Sequence, residues 1–134
     1  MGLRDYSSLH QVINVARILI VDDDEPDRMI LSTILEHAGH ETFCAEDGEE
    51  ALRECSGKAI EVVITDLQMP KVHGLELISM LRDLSPRPAI IAISGTGSAQ
   101  LDMAQVIGAE ATLSKPVDHA ALLSAVTKAV AAEA

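Results

Sequence analysis

The stretch Val62-Val63-Ile64-Thr65-Asp66-Leu67-Gln68-Met69-Pro70 decides the reading of this chain. Val62, Val63 and Ile64 form an unbroken apolar run that soon meets a carboxylate. A strand with one solvated face alternates apolar and polar residues. A continuous run therefore implies burial on both faces, as in a parallel sheet covered by helices. The pattern repeats on either side: Ile18-Leu19-Ile20-Val21 runs into Asp22-Asp23-Asp24-Glu25, and Ile90-Ile91-Ala92-Ile93 runs into Ser94-Gly95. With two further runs, the predicted strands are Arg17–Val21, Glu41–Ala45, Val62–Thr65, Ala89–Ile93 and Ala111–Ser114.

Helical patterns fill the intervals. Pro26 sits where a missing N–H costs nothing, with Asp24 or Glu25 as the cap, and Ile30, Leu31, Ile34, Leu35 and Ala38 are expected inward until Gly39 ends the first helix. Asp47 opens the second, with Ala51, Leu52 and Cys55 inward and Gly57 as the stop. The third is expected over Gly74–Leu84 before Ser85-Pro86, and the fourth over Ala99–Ile107 before Gly108. The last is expected from Asp118 to about Val130, with Leu122, Val126 and Val130 stacked. Strand–helix alternation with short links implies βαβ units and an α/β, doubly wound sheet.

At 134 residues the chain is expected to form one domain, with an N-terminal extension at 1–16, the domain at 17–131 and a short tail at 132–134. In the extension Leu9, Val12, Ile13 and Ala16 are spaced for an amphipathic turn, although a frayed tail fits equally. Aromatics make up only 1% of the residues, so the core must come from Val, Ile, Leu, Ala and Met. A formal charge of −11 with scattered Lys and Arg argues against nucleic-acid binding. No stretch is long enough to span a bilayer, and no signal segment opens the chain. Cys44 and Cys55 lack metal-type spacing and are expected as core fillers. These features together fit a reducing cytoplasm.

In open α/β sheets the ligand site lies beyond the carboxyl ends of the strands. The chemistry-bearing residues gather there: Asp22 and Asp23 after the first strand, Asp66 after the third, Ser94 after the fourth and Lys115 after the fifth. Crowded carboxylates repel one another unless a cation or proton joins them, and hard oxygen ligands of this kind suit Mg²⁺. A carboxylate can also attack phosphorus, and the transferring phosphoryl group then needs positive charge and donors around its oxygens. Lys115 and Ser94 can supply these. Taken singly, each residue has a plainer role: Asp66 and Ser94 as turn formers, Lys115 as a surface charge, Asp24 and Glu25 as helix N-terminal charges.

These residues resemble the receiver domains of bacterial response regulators. Ile18-Leu19-Ile20-Val21-Asp22-Asp23 is similar to that family's opening strand and acidic pair, and Asp47-Gly48-Glu49-Glu50-Ala51-Leu52 to its second-helix start. Asp66-Leu67-Gln68-Met69-Pro70 with Gly74-Leu75-Glu76-Leu77 resembles the phosphorylation loop, and Gly108-Ala109 with Lys115-Pro116 the closing signature. The resemblance implies a flavodoxin-like five-stranded sheet in the order 2-1-3-4-5. It further implies that Asp66 accepts phosphoryl from a histidine kinase or histidine phosphotransfer protein. Mg²⁺ would be held by Asp22, Asp23, Asp66 and the main-chain carbonyl of Gln68, with Ser94 and Lys115 gripping the phosphoryl oxygens. Such a domain acts on nothing but its own phosphorylation and dephosphorylation, and signals as a monomer or weak dimer through an unknown downstream protein.

Four positions vary on the family pattern. Thr112 stands where a Tyr or Phe usually swings inward, His73 replaces a common Asp or Asn, and Gln68 with Thr96 flanks the site. Without the aromatic, output is expected to travel through the loop after Ser94 to the fourth helix. Two other readings compete. A haloacid-dehalogenase-like phosphatase would use Asp22 as nucleophile and Asp24 as general acid, but it wants a further acidic pair where only Asp118 is available, and it leaves Asp66–Pro70 without a purpose. A phosphorylation-independent interaction module would need none of the four strand ends.

Overall fold

The computed structural model describes residues 15–68, 73–95 and 98–133. Five strands, β1 (Arg17–Val21), β2 (Glu41–Ala45), β3 (Val62–Asp66), β4 (Ala89–Ser94) and β5 (Ala111–Ser114), alternate with five helices. The helices are α1 (Glu25–His37), α2 (Gly48–Gly57), α3 (Gly74–Leu81), α4 (Ser98–Ile107) and α5 (His119–Glu133). All strand pairs are parallel and the sheet order is β2-β1-β3-β4-β5.

The continuous apolar runs divide by residue parity, because successive side chains leave a strand on opposite faces. Ile18, Ile20, Val62, Ile64, Ile91 and Ile93 pack with Leu31 and Leu35 of α1 and with Leu122 and Val126 of α5. Leu19, Val21, Val63, Ile90 and Ala92 pack on the other face with Ala51 of α2, with Leu77, Ile78 and Leu81 of α3, and with Leu101 and Ala104 of α4. Burying one such Ile or Leu contributes about 1.5–3 kcal/mol, so these two stacks dominate the stability of the fold. No helix among the described residues is long and apolar enough to cross a membrane.

Several boundaries differ from expectation. β3 and β4 each keep one more residue, Asp66 and Ser94, because pairing continues past them: the Leu67 N–H donates to the Ile93 carbonyl at 2.9 Å, and the Lys115 N–H to the Ser94 carbonyl at 3.1 Å. α3 stops at Leu81 rather than Leu84, since the chain tightens there into turns with Asp83 N–H donating to Met80 and Leu84 N–H to Leu81. Asp118 caps α5 through the Ala121 N–H at 2.9 Å, and the helix runs on to Glu133.

Two packing expectations fail. Of the residues expected inward on α1, Leu31 and Leu35 are buried and Ile34 is partly buried against the core, but Ile30 is exposed at the edge of that stripe and Ala38 is exposed as the C-cap beyond the helix end; Ile30 and Ile34 also border a cleft. Cys44 is exposed because it lies on the marginal strand β2, whereas Cys55 is partly buried against the core; both thiols are free. Leu9, Val12 and Ile13 lie outside the described residues, as do Met69, Pro70 and Thr96. Ala16 is buried, its N–H donating to His40 Nδ1 at 3.1 Å.

Candidate functional site

The turn after β1 is built from its own acidic run. Asp24 is the N-cap of α1, its Oδ2 accepting the Asp27 N–H at 3.0 Å, which leaves the helix start to complement the negative charge nearby. Asp22 is buried at the strand end: its Oδ1 accepts the Asp24 N–H at 2.9 Å, and its carbonyl accepts from Arg28 at 2.6 Å. Asp23 is exposed beside it.

Asp66 ends β3, the central strand, and is 7% exposed. Its Oδ1 accepts the Gln68 N–H at 3.1 Å, and its Oδ2 meets the Lys115 ammonium at 3.2 Å. The start of α3 lies hard against the end of β3. A side-chain carbon on Gly74 would lie 2.4 Å from the Leu67 Cα and 2.7 Å from the Asp66 carbonyl oxygen, so only glycine allows this approach. His73 is exposed before α3 and makes no side-chain cap bond.

Ser94 is buried at the end of β4, with its hydroxyl 3.4 Å from Gln100 Oε1 in α4. Lys115, immediately after β5, reaches Asp27 at 3.1 Å, Asp66 at 3.2 Å and Asp22 at 3.4 Å. The structure therefore brings together Asp22, Asp23, Asp66 and Lys115 as expected, with Ser94 at the neighbouring strand end. One carboxylate oxygen from each of Asp22, Asp23 and Asp66 can be chosen so that all three lie within 4.8 Å of one another. Gln68 is exposed just beyond Asp66.

The electrostatics follow from this crowding. Burial pushes the Asp22 carboxyl above the usual carboxylate range, opposed by the Asp24 N–H and assisted by the Asp66 charge, while Lys115 lowers it. Burial works against the Lys115 charge, but the hydrogen bond to Asp27 and the charges of Asp22 and Asp66 outweigh it and hold the ammonium well above its ordinary value. Lys115 is thus a fixed cation facing a surplus of carboxylates. Three hard oxygen donors in this spacing fit a divalent cation such as Mg²⁺, which takes one or two carboxylates plus water and phosphate oxygens.

Asp27 is the residue that sequence reasoning missed. Its carboxylate meets a residue 88 positions away, Lys115, so no local pattern points to it. The one available signal was its spacing three residues after the Asp24 cap. The phosphatase alternative loses both of its remaining acids, since Asp24 and Asp118 cap α1 and α5. Beside the site a cleft of about 460 Å³ opens between α1 and the segment after β5, with Asp27 and Lys115 in its wall beside Ile30, Ile34 and Val117.

Comparison with known proteins agrees with this architecture. Residues 18–127 match the family described as the response regulator receiver domain. A response regulator receiver domain protein from Clostridium thermocellum is similar in structure, with a TM-score of 0.83 and 31% identity, covering 89% of this chain and 97% of that one. Chemotaxis protein CheY4 of Vibrio cholerae is similar at a TM-score of 0.79 and 30% identity, covering 86% of this chain and 98% of that one. The sensory/regulatory protein RpfC of Xanthomonas campestris pv. campestris is 33% identical over 112 residues, which are 80% of this chain and 15% of that protein. The chain thus spans only a small part of that curated relative.

Proposed function

Because this chain belongs to the response regulator receiver domain family, we propose that Asp66 is its phosphoacceptor, charged by a histidine kinase or histidine phosphotransfer protein. The observation that carries this reading is the position of Asp66: its carboxylate ends the central strand, forms a trio with those of Asp22 and Asp23, and meets the Lys115 ammonium. A carboxylate oxygen of Asp66 attacks the phosphorus of a phosphohistidine, the phosphorus–nitrogen bond breaks, and its electron pair returns to the imidazole. Lys115 and Ser94 hold the phosphoryl oxygens as charge redistributes over them. Asp22, Asp23, Asp66 and the Gln68 carbonyl would hold Mg²⁺, which when bound offsets the clustered negative charge and takes a phosphoryl oxygen.

Nothing in this chemistry requires a substrate other than the phosphodonor, and water returns the domain to its starting state. The exposed Ile30, in the wall of the cleft next to the site, supports a protein donor, as does the exposed Met29 that precedes it in α1. On this reading the receiver unit spans 17–131 and works in the cytoplasm with protein rather than nucleic-acid partners. The half-buried Thr112 is no aromatic switch, so output is assigned to the movement of Ser94 toward phosphoryl and the consequent displacement of α4. The test is intact mass after treatment with a small-molecule phosphodonor and Mg²⁺. One phosphoryl should be gained by the wild type and none by Asp66→Asn, with the fold retained. Labelling on Asp22, or continued labelling of the variant, would overturn the assignment.

A further inference from the structure

The Lys115 ammonium carries three N–H donors, and three carboxylates lie around it. Two of those carboxylates change during the proposed reaction. Asp22 is one of the trio that would bind metal, and it already makes the longest of the three contacts, 3.4 Å. Asp66 loses its carboxylate charge once it becomes an acyl phosphate. Asp27, at 3.1 Å, lies outside the metal trio and is not modified.

The local geometry of α1 explains why the Asp27 carboxylate is available. Asp24 and Asp27 stand in the positions of a capping box, in which each side chain would bond to the other residue's N–H. Only half of the box forms. Asp24 Oδ2 takes the Asp27 N–H, but the Asp24 N–H is given to Asp22 Oδ1 at 2.9 Å. The Asp27 carboxylate is therefore released from capping and reaches across to the end of β5.

We infer that Asp27 is a positioning residue, which anchors the Lys115 ammonium while Asp22 would turn to a metal ion and Asp66 becomes an acyl phosphate. The inference rests on Asp66 being the acceptor. A four-carbon side chain held at its tip meets an arriving phosphoryl oxygen without first being ordered. Asp27 also adds negative charge to a site that must admit an anionic donor, so charge and positioning act in opposite directions.

Two variants separate these effects. Asp27→Asn and Asp27→Ala remove the same charge, but only asparagine keeps an oxygen acceptor for Lys115. In the full chain with Mg²⁺ and acetyl phosphate, initial labelling of Asp27→Ala should be about threefold slower than that of Asp27→Asn, the size set by a half-exposed partner. Equal rates would overturn the inference. The Lys115 ε-methylene protons, observed by NMR in the unphosphorylated chain, should be non-equivalent in the wild type and Asp27→Asn, and their separation should narrow in Asp27→Ala, where only Asp22 and Asp66 still hold the ammonium. Merged signals in the wild type, or an unchanged separation in Asp27→Ala, would overturn the anchoring. If Asp27→Ala narrows the separation but the wild type takes no phosphoryl, the acceptor assignment falls, and the role in transfer falls with it while the anchor remains.

Discussion

The two ends of the sheet carry similar residues arranged on opposite principles. At the amino end charges pair singly and stay near solvent: Arg17 with Glu41 at 3.0 Å, and Arg87 with Glu110 at 2.9 Å. Spare oxygens there serve the strand starts, Glu61 accepting the Arg17 N–H at 2.9 Å and Glu110 the Ile90 N–H at 2.7 Å. At the carboxyl end one ammonium faces three carboxylates, two of them buried, and a fourth acid stands beside them. In the first arrangement each arginine is answered by one carboxylate of the chain. The second is short of positive charge, and a bound cation and an incoming phosphoryl group would both act on that imbalance.

Supplying the missing charge is the largest effect expected from this contrast. Mg²⁺ binding only the folded chain should raise stability by about 2.7 kcal/mol at a hundredfold excess over its dissociation constant. Asp23→Ala should blunt the gain in thermal unfolding and slow phosphorylation. A melting temperature indifferent to millimolar Mg²⁺ would remove the metal from the reading.

Gly74→Ala should follow in size. Its new methyl group would meet the backbone at Leu67 and Asp66, which must shift. A cost of about 1–3 kcal/mol is expected for such overpacking, together with slower labelling of Asp66. Chemical denaturation and intact mass measure the two parts. Unchanged values in both would show that the loop yields freely.

A subtler test concerns Asp22 in a chelator. Its folded pKa is raised above the unfolded one, mainly by burial, so its contribution to stability is fully present at low pH, where it is protonated, and is lost as pH rises through the folded value. Asp22→Asn should therefore melt higher than the wild type at neutral pH, and the difference should shrink on acidification. A gain that grew as pH fell would contradict the assigned cause.

The smallest effect belongs to the other end of the sheet. Glu41→Gln removes one member of an exposed pair and should change stability by no more than about 1 kcal/mol, leaving Mg²⁺ response and labelling as they were. A marked loss of labelling would show that the two ends are coupled.

Much of this architecture could be read in the chain before any coordinates. Val62-Val63-Ile64 and its counterparts announce strands buried on both faces, and the candidate site residues fall at the four strand ends that the sheet brings together. The errors share one cause. Ile30 was expected inward because helical spacing defines a stripe without stating how wide a stripe its neighbours will cover. Cys44 was expected in the core because an apolar residue on a strand does not reveal that its strand is marginal.

The order of elements and the identity of the acid, hydroxyl and ammonium groups were determined by the sequence alone, because periodicity and strand ends are local properties of the chain. Which acids do chemistry was decided only in three dimensions. Asp22, Asp24 and Asp27 lie within six consecutive positions, yet one is buried at a strand end, one caps a helix and one holds Lys115. That division depends on how α1 turns against a lysine 88 residues away, and packing, not local spacing, sets that rotation.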